Sequence, residues 1–478
     1  MNFEGSASVA TFDKSWVISI RKRLEKQSHP VPWNSWNRVR PSIYRVPNVI
    51  RQVDVDAYEP KVLSIGPLHR GNPKLAAMEK HKWRYLHDLL SANPEFSLEK
   101  CLVEMKSLEE MARSSYSETI ELDSNEFVEM MLLDGCFIVE FLIKLRESSL
   151  EFIFTSKEVE EPMFNTIWIL TPIVHDILLL ENQLPFFVLQ RLFDLAFMLN
   201  RQRFVNHSLM EIAFFMCNCL VPLNEEINQL PACSIHHLLH LFHTHLIPSP
   251  KKPITHSYTY NLSSHLLALF NTHVHPVEPS KPAPPERRAK TIPSVTELQD
   301  AGVKFKKKVK KAGSFMELEF SKGVMQIPQL YIYPNTNAFF RNLIAFEQCY
   351  PNSRTYFTAY AMFMDSLIDT PNDVLLLKQQ GIIHHGLGTD ADLAFLYNQL
   401  SKGLNFYYSK TYLADVYLGV KSYYESNWHK WRASLVHDYF RNPWAFLSVM
   451  AAVVLLMLTI AQTVFSALSH FTNPSNAS

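Results

Sequence analysis

The chain has 478 residues, of which 47% are hydrophobic and 12% aromatic, and its 46 basic residues balance its 46 acidic ones. A net charge of zero argues against a nucleic-acid partner, because no overall positive field attracts a polyanion. Only 12 residues are glycine, roughly a third of average usage, which disfavours Gly-rich phosphate loops and dinucleotide-binding folds. The six cysteines are scattered, as is typical of a reducing compartment.

Residues 1–40 contain one short amphipathic segment. Trp16 to Ile20 is apolar and runs into Arg21-Lys22-Arg23, a pattern that predicts a basic amphipathic helix. Such a helix either lies on a membrane surface or packs its apolar stripe on the domain, and packing is the commoner outcome. The apolar run is too short for the core of a signal peptide, so none is expected.

Residues 41–247 are predicted to form the first part of a helical domain. Prolines recur from Pro41 to Pro67 and exclude a continuous helix there, so this stretch is expected to be extended. Asn72 and Pro73 are typical of an N-cap and a first helical turn, and they predict that a helix follows.

The next helix is predicted to begin at Asp123, because Glu126 stands at the spacing of a capping box. Apolar residues then recur at helical period as far as 142, and Asp134 falls within this stripe. A carboxylate in that position must be paired, hydrogen-bonded or protonated. We therefore expect Asp134 to be buried, with an arginine, a histidine or backbone amides as its partner.

Residues 166–198 are apolar almost all round. Pro172 is expected to begin one helix and Pro185 another. Between the two prolines lies a polar island, Glu181-Asn182-Gln183. Its side chains are predicted to satisfy backbone groups that the proline break leaves without partners.

Three histidines, His236, His240 and His243, share one face of a predicted helix, and Cys233 lies one turn earlier. This spacing is compatible with a zinc site. No cysteine pair or ligating carboxylate stands nearby in the sequence, which favours an ordinary amphipathic helix, and no cofactor is expected.

Residues 248–292 are rich in proline and predict a linker or a disordered insertion. Residues 293–438 are predicted to be the second part of the helical domain, opened by a capping box of Ser294 and Glu297. The lysine-rich run 304–311 can attract anionic lipid, although a solvated helix face is the commoner role of such a run.

A small β-hairpin is predicted near residues 315–333, because two alternating stretches flank the turn Ser321-Lys322-Gly323. Further along, Thr389 and Asp392 have the spacing of a capping box, so Asp392 needs no catalytic role. The predicted fold is therefore mainly α: a multi-helix globular domain with a small hairpin, followed by a single C-terminal transmembrane helix.

Residues 444–468 form the most apolar segment and contain no charged side chain. As a helix they would be about 37 Å long, enough to cross about 30 Å of hydrocarbon with some tilt. A buried core helix is the alternative. Lys430, Arg432 and Arg441 precede the segment, so the positive-inside rule predicts a cytosolic body and a tail, 469–478, on the other side. We expect a single-pass protein anchored in the plasma membrane or an endomembrane.

Several blocks of the chain, together with this anchor, resemble one plant-specific family, the domain of unknown function 247 family. The blocks are YEPKVLSIGPLHRG (58–71), MMLLDGCFIVEF (130–141), DILLLENQLPFFVL (176–189), PSVTELQDAGVKFK (293–306) and FRNLIAFEQCY (340–350). The resemblance spans about residues 40 to 468 and implies a mostly helical fold with a C-terminal membrane helix. Members have no established catalytic activity, and some are implicated in pollen–stigma self-incompatibility in grasses or in stress responses.

The sequence contains no phosphate-binding loop, zinc-protease motif, nucleophile elbow or kinase motif set. The favoured function is thus a membrane-anchored recognition or signalling component without catalysis, with a protein partner of unknown identity. The alternative is a hydrolase-like enzyme in which Asp134 and Glu181, if adjacent, share a proton and act as general acid and base. His175 or an arginine could instead pair with either carboxylate as a structural bridge. A solvent-reachable pocket around these carboxylates would favour the enzyme, and sealed carboxylates would favour the structural role.

Overall fold

The computed structural model describes residues 14–27, 40–92, 96–155, 167–197, 208–220, 234–248, 292–308, 314–404, 406, 411–426 and 443–472. These residues are mostly helical, as predicted, with a few short strands. The predicted insertion, apart from its two end residues, and Cys233 lie outside the described residues.

The helices of the first part of the chain are α1 (Lys14–Gln27), α2 (Asn48–Arg51), α3 (Glu79–Ala92), α4 (Leu98–Ser114), α5 (Ser124–Thr155), α6 (Ile167–Ile177), α7 (Phe186–Phe197), α8 (Leu209–Leu220) and α9 (Leu238–Leu246). The second part has α10 (Val295–Asp300), α11 (Thr336–Cys349), α12 (Tyr356–Leu367), α13 (Pro371–Gln379), α14 (Asp390–Leu400), α15 (Ala414–Glu425) and α16 (Pro443–Thr472). The strands are β1 (Lys304–Lys307), β2 (Glu319–Ser321), β3 (Val324–Ile327), β4 (Leu330–Ile332) and β5 (Ile383–His385).

Helix α5 is the centre of the first part. It packs against α3, α4, α7 and α8, and its side chains from 130 to 143 are buried on every face. A helix that is apolar all round must be enclosed by other elements, which explains the ring of neighbours. Helix α11 contacts α9 and the short 3₁₀ turn Val55–Ala57, so one hydrophobic core continues into the second part.

The capping residues predicted from sequence spacing are confirmed. Each N-cap side chain accepts a hydrogen bond from a backbone amide in the first helical turn, and in three cases a carboxylate at the third position also accepts the N-cap amide. The capping residues are Asn72, Asp123 with Glu126, Ser294 with Glu297, and Thr389 with Asp392.

The prediction for Pro185 is confirmed and that for Pro172 is wrong. Helix α7 begins at the residue after Pro185, but Pro172 lies inside α6 rather than at its start. A proline inside a helix removes one backbone hydrogen bond. Here Ile173 and Ile177, which follow it on the same helix, are buried, and their burial offsets that loss.

The lysine run is a β-strand where it is described, and not the solvated helix face that the sequence favoured. Strand β1 pairs in parallel with β3, placing Phe305 opposite Met325. Phe305 is buried while Lys304 and Lys306 are exposed, so the strand turns its one aromatic side chain to the core. Pairing with a strand 20 residues along the chain overrides the local helical preference of lysine.

The predicted hairpin is present, formed by β2 and β3 in antiparallel register. Its turn places Lys322 at φ 50° and Gly323 at φ 73°, and two-residue hairpin turns of this class require positive φ at both positions. Strand β4 does not belong to the hairpin, because it pairs in parallel with β5.

Two terminal helices expose apolar side chains. In α16, residues Leu447–Leu468 are exposed throughout and have a mean hydropathy of 2.2, which makes this helix long and apolar enough to cross a membrane. In α1, Trp16 is 52% and Ile18 55% exposed, whereas Ile20 is half-buried.

Candidate functional site

The stretch from Lys61 to Gly66, which we call the 61–66 segment, belongs to no helix or β-sheet, so its backbone amides need other partners. Asp176, fully buried at the end of α6, is the partner of three of these amides. Its carboxylate accepts the amides of residues 61, 62 and 63 at 2.9, 2.7 and 2.8 Å. One side chain thereby satisfies a backbone segment more than a hundred residues away in the chain.

Asn182 holds the same segment from the polar island. Its side-chain oxygen accepts the Ile65 amide at 2.7 Å, and its nitrogen donates to the carbonyls of Leu63 and Asp176 at 2.9 Å each. The amide of Asn182 therefore stands in for the neighbouring strand that this segment lacks.

Gln183 does what the sequence predicted for the polar island. It donates to the carbonyls of Ile177 and Leu179 at 2.6 and 2.8 Å, where α6 ends and leaves acceptors without helical partners. Its oxygen also accepts the amide of Leu239 at 3.2 Å, which joins this turn to α9.

Asp134 is buried, as predicted, with 1% of its surface exposed. One carboxylate oxygen lies 2.6 Å from the ammonium of Lys82, and the other accepts the Gly66 amide at 2.9 Å. A backbone amide is among the expected partners, but the charged partner is a lysine rather than an arginine or a histidine.

Lys82 is equally buried and donates to the carbonyl of Ser64 at 2.6 Å and to Glu79 at 2.7 Å. Burial by itself would lower the pKa of Lys82, but Asp134 and Glu79 outweigh burial and raise it. The lysine is therefore an ammonium ion that links α3 and α5 to the 61–66 segment.

Glu181 is buried in a separate cluster. It accepts the Val46 amide at 2.6 Å and forms an ion pair with Arg51, while His69 Nε2 lies at 3.3 Å and Arg45 Nη1 at 3.5 Å. Burial opposes ionisation, but His69, Arg51 and the Val46 amide together lower the pKa of Glu181. Glu181 is thus a carboxylate surrounded by donors.

The two candidate catalytic carboxylates have different partners. Within the described part of the chain, no hydrogen bond joins Asp134 to Glu181, and neither lines the cleft between α6 and the N-terminal end of α11. His175 pairs with neither of them, since its Nδ1 lies 2.8 Å from Asp176 Oδ1. Asp134 and Glu181 therefore belong to separate clusters, and each has its own set of donors.

The candidate zinc-binding histidines lie at the start of α9. The helix begins at Leu238, so His236 precedes it, and His237 is the N-cap whose ring accepts the His240 amide. His236 Nε2 is 2.8 Å from the Tyr350 hydroxyl. Burial and the neighbouring histidines lower the pKa of His240 to about 3, which keeps this ring neutral.

His243 has a carboxylate partner on another helix, with its Nε2 2.7 Å from Glu347 Oε1. Among the described residues, which do not include Cys233, no group of three or more histidine, cysteine or acidic side chains is arranged to hold a metal. The zinc site of Cys233, His236, His240 and His243 remains the less favoured of the two interpretations that the sequence allows.

Sequence reasoning missed Lys82 and Asp176, the residues with the most structural consequence. A charged residue inside an apolar run was the available signal for Asp176. Four of the five blocks that carry the family resemblance meet here, because 58–71 supplies the amides while 130–141 and 176–189 supply Asp134 and the acceptor side chains. Block 340–350 adds Asn342, which accepts the Leu180 amide at 2.9 Å.

Comparisons with known proteins confirm the family resemblance. A family model described as a plant protein of unknown function, DUF247, matches residues 43–458. The UPF0481 protein At3g47200 of Arabidopsis thaliana is 31% identical over 90% of this chain and 86% of that protein. The putative UPF0481 protein At3g02645 of the same plant is 25% identical over 96% of this chain and 97% of that protein. No solved structure matches the chain.

Proposed function

We propose that this chain, which belongs to the DUF247 family of plant proteins of unknown function, is a membrane-anchored recognition or signalling component that works without catalysis. Its body faces the cytosol and binds a protein partner there, and its C-terminal helix crosses the bilayer once.

The exposed apolar surface of α16 is the observation that supports this proposal. Leu447–Leu468 has 22 residues, and a helix of that length is about 33 Å long, close to the roughly 30 Å of a bilayer's hydrocarbon. Water would solvate so long an apolar surface poorly, whereas lipid chains would cover it. The basic side chains of Lys430, Arg432 and Arg441 precede the helix and favour a cytosolic body.

The use of the buried carboxylates supports a role without catalysis. A general acid or base must reach a proton on the substrate, whereas Asp134 and Asp176 direct their oxygens at backbone amides and at Lys82 or His175. Glu181 is likewise occupied by an amide and by arginine side chains. These acids are placed to stabilise the fold.

Membrane anchoring can be tested with the full chain expressed in plant cells. Each arginine at the centre of a membrane helix costs about 2.5–3.5 kcal/mol, so Leu455→Arg with Leu458→Arg should move the protein into the carbonate-soluble fraction. Leu418→Arg is the matched control, because Leu418 is 66% exposed on α15 in the body of the protein. Membrane association of the double variant equal to that of the wild type would refute the anchor.

The recognition role can be tested by proximity labelling with a labelling enzyme fused to the N-terminus in native tissue. We expect one reproducible set of cytosolic proteins that is lost in the double arginine variant. A labelled set confined to lumenal proteins would overturn the proposed topology. If Asp134→Asn gives a folded protein that loses a measurable chemical activity of the wild type, the acid–base enzyme replaces the non-catalytic proposal.

A further inference from the structure

Helix α1 carries an apolar face that is largely uncovered. Successive residues of an α-helix are turned by about 100°, so Trp16 and Val17 mark the two edges of a face with Ile20 between them. We call these three residues the α1 apolar face. Trp16 is 52% and Val17 42% exposed, and Ile20 is half-buried. The two edge side chains are therefore open to solvent along much of their surface.

Basic side chains border this face on both sides. Around the helix, Arg21 lies next to Val17 and Arg23 lies next to Trp16, and both arginines are exposed. Helix α1 contains five basic residues and one acidic residue, Glu25, although the complete chain has no net charge. The positive charge of α1 is therefore a local feature, and it complements a negatively charged surface.

This arrangement is typical of a helix that lies in the plane of a membrane. Such helices sink an apolar face about 5–10 Å below the headgroups and keep basic side chains level with them. Tryptophan is enriched at that depth. The apolar stems of Arg21 and Arg23 can extend from the border of the face while their guanidinium groups reach lipid phosphates.

We infer that α1 lies on the surface of an anionic bilayer, with the α1 apolar face among the lipid chains and Arg21 and Arg23 at the headgroups. This placement rests on the proposed function, because α16 must first hold the chain at a membrane. Once the chain is tethered there, the effective concentration of lipid around α1 is high, so even a weak second contact is effective. The protein thus contacts the bilayer through α1 as well as α16.

Hydrogen exchange in the anchored full chain tests this placement. The wild type is reconstituted in vesicles of phosphatidylcholine alone or of an equimolar mixture with phosphatidylserine, and peptides covering 14–27 are followed by mass spectrometry. A helix as short as α1 is marginal in water, so its amides become protected when lipid binds it. One cation near an anionic surface strengthens binding about fivefold, so phosphatidylserine should slow exchange in α1 at least about tenfold. Peptides covering α15 should exchange equally fast in both vesicles.

Val17→Ser tests the apolar face. Each buried methylene contributes about a factor of four, so this variant should lose nearly all of the slowing that phosphatidylserine causes. Ile18→Ser is the matched control, because Ile18 is 55% exposed but lies on the side of α1 opposite Ile20. The control should keep the slowing within about twofold, because a side chain outside the face contributes little to lipid binding.

Arg21→Gln together with Arg23→Gln tests the charge. The slowing by phosphatidylserine should be at least about fivefold smaller than in the wild type. Lys80→Gln together with Lys421→Gln is the matched control, because it removes the same charge from exposed positions on α3 and α15. This control should behave as the wild type does.

Carbonate extraction of the same vesicles tests α16 separately. Release of the protein into the soluble fraction would refute the anchor and this placement together, whereas an anchored protein in which α1 exchanges equally fast in both vesicles would overturn the placement alone. Slow exchange without anionic lipid would assign the face to the body of the protein, and slow exchange that requires a high protein-to-lipid ratio would assign it to a second copy. Either result, or equal losses in a variant and its control, overturns the placement.

Discussion

Removing one member of the buried Lys82–Asp134 pair should destabilise the protein more than removing both. The relevant variants are Lys82→Met, Asp134→Asn and the two together. Each single change leaves a charge in a site where both side chains are 1% exposed. The double change leaves no charge there, and the new amide oxygen can still accept the Gly66 amide.

The structure sets the expected magnitudes. Lys82→Met leaves a buried carboxylate with the Gly66 amide as its remaining donor, at a cost of about 3–5 kcal/mol. Asp134→Asn leaves an ammonium that keeps Ser64 and the half-exposed Glu79, at about 2–4 kcal/mol. The double variant leaves the Ser64 carbonyl unsatisfied, at about 1–3 kcal/mol. The double variant should therefore be at least about 2 kcal/mol more stable than the sum of the single effects predicts.

The assay is guanidinium-induced unfolding of the full chain in detergent micelles, followed by tryptophan fluorescence. Lys106→Met is the matched control, because Lys106 is 56% exposed and its partner Glu109, at 3.0 Å, keeps Arg113 as a second cationic partner at 2.9 Å. It should change the free energy of unfolding by less than about 1 kcal/mol. Additive single effects, or a Lys82→Met variant no less stable than the control, would refute the reasoning.

Three further outcomes are expected in the same assay. Gly66 has φ +70°, and an added Cβ would lie 2.7 Å from the Gln183 carbonyl oxygen, so Gly66→Ala should cost about 2–4 kcal/mol. At Gly71, with φ +79°, an added Cβ meets nothing within 4 Å, and Gly71→Ala should cost only about 1–2 kcal/mol; equal costs would exclude the proposed clash. Asp176→Asn leaves one acceptor oxygen instead of two for three amides and should cost about 2–3 kcal/mol. An unchanged midpoint would show that Asp176 does not hold the 61–66 segment. The pKa of His240 falls from 6.5 to about 3 on folding, so only the unfolded state gains this proton as the pH drops below 6.5. Its contribution is complete above pH 6.5, about 1–2 kcal/mol of it is lost by pH 5, and His240→Phe should flatten this dependence; an unchanged slope would contradict it.

Local features of the fold could be predicted from the sequence because their causes are local. A capping box such as Ser294 with Glu297 needs only a spacing of three residues, and a two-residue turn needs a glycine such as Gly323 at positive φ. The apolar stripe of α5 likewise predicted that Asp134 is buried, since helical period fixes which positions share a face.

The errors concern features that depend on distant parts of the chain. The lysine run forms a strand because β3 offers it a backbone partner, and nothing within residues 304–307 encodes that pairing. Pro172 is accepted inside a helix because the surrounding core stabilises α6. Periodicity also could not identify Lys82 as the partner of Asp134, because the two residues are 52 positions apart and meet only when α3 packs on α5.

The same distance dependence applies to the candidate site. Glu181, Asn182 and Gln183 could be recognised as polar residues within an apolar run. That Asn182 accepts the Ile65 amide, or that Asp176 accepts the amides of residues 61–63, depends on tertiary packing. Composition and spacing therefore predicted which side chains are unusual, and the packing determined what each of them contacts.

The 61–66 segment has a consequence for how the protein folds. A strand within a sheet can form as soon as its neighbour is present, but this segment needs acceptors from α5, from the end of α6 and from the turn after it. Its amides at 61–63, 65 and 66 should therefore gain protection from hydrogen exchange together, and late, when those helices have assembled. In the native state they should exchange only through an opening that separates these helices, which makes this short segment a reporter of the cooperativity of the whole domain.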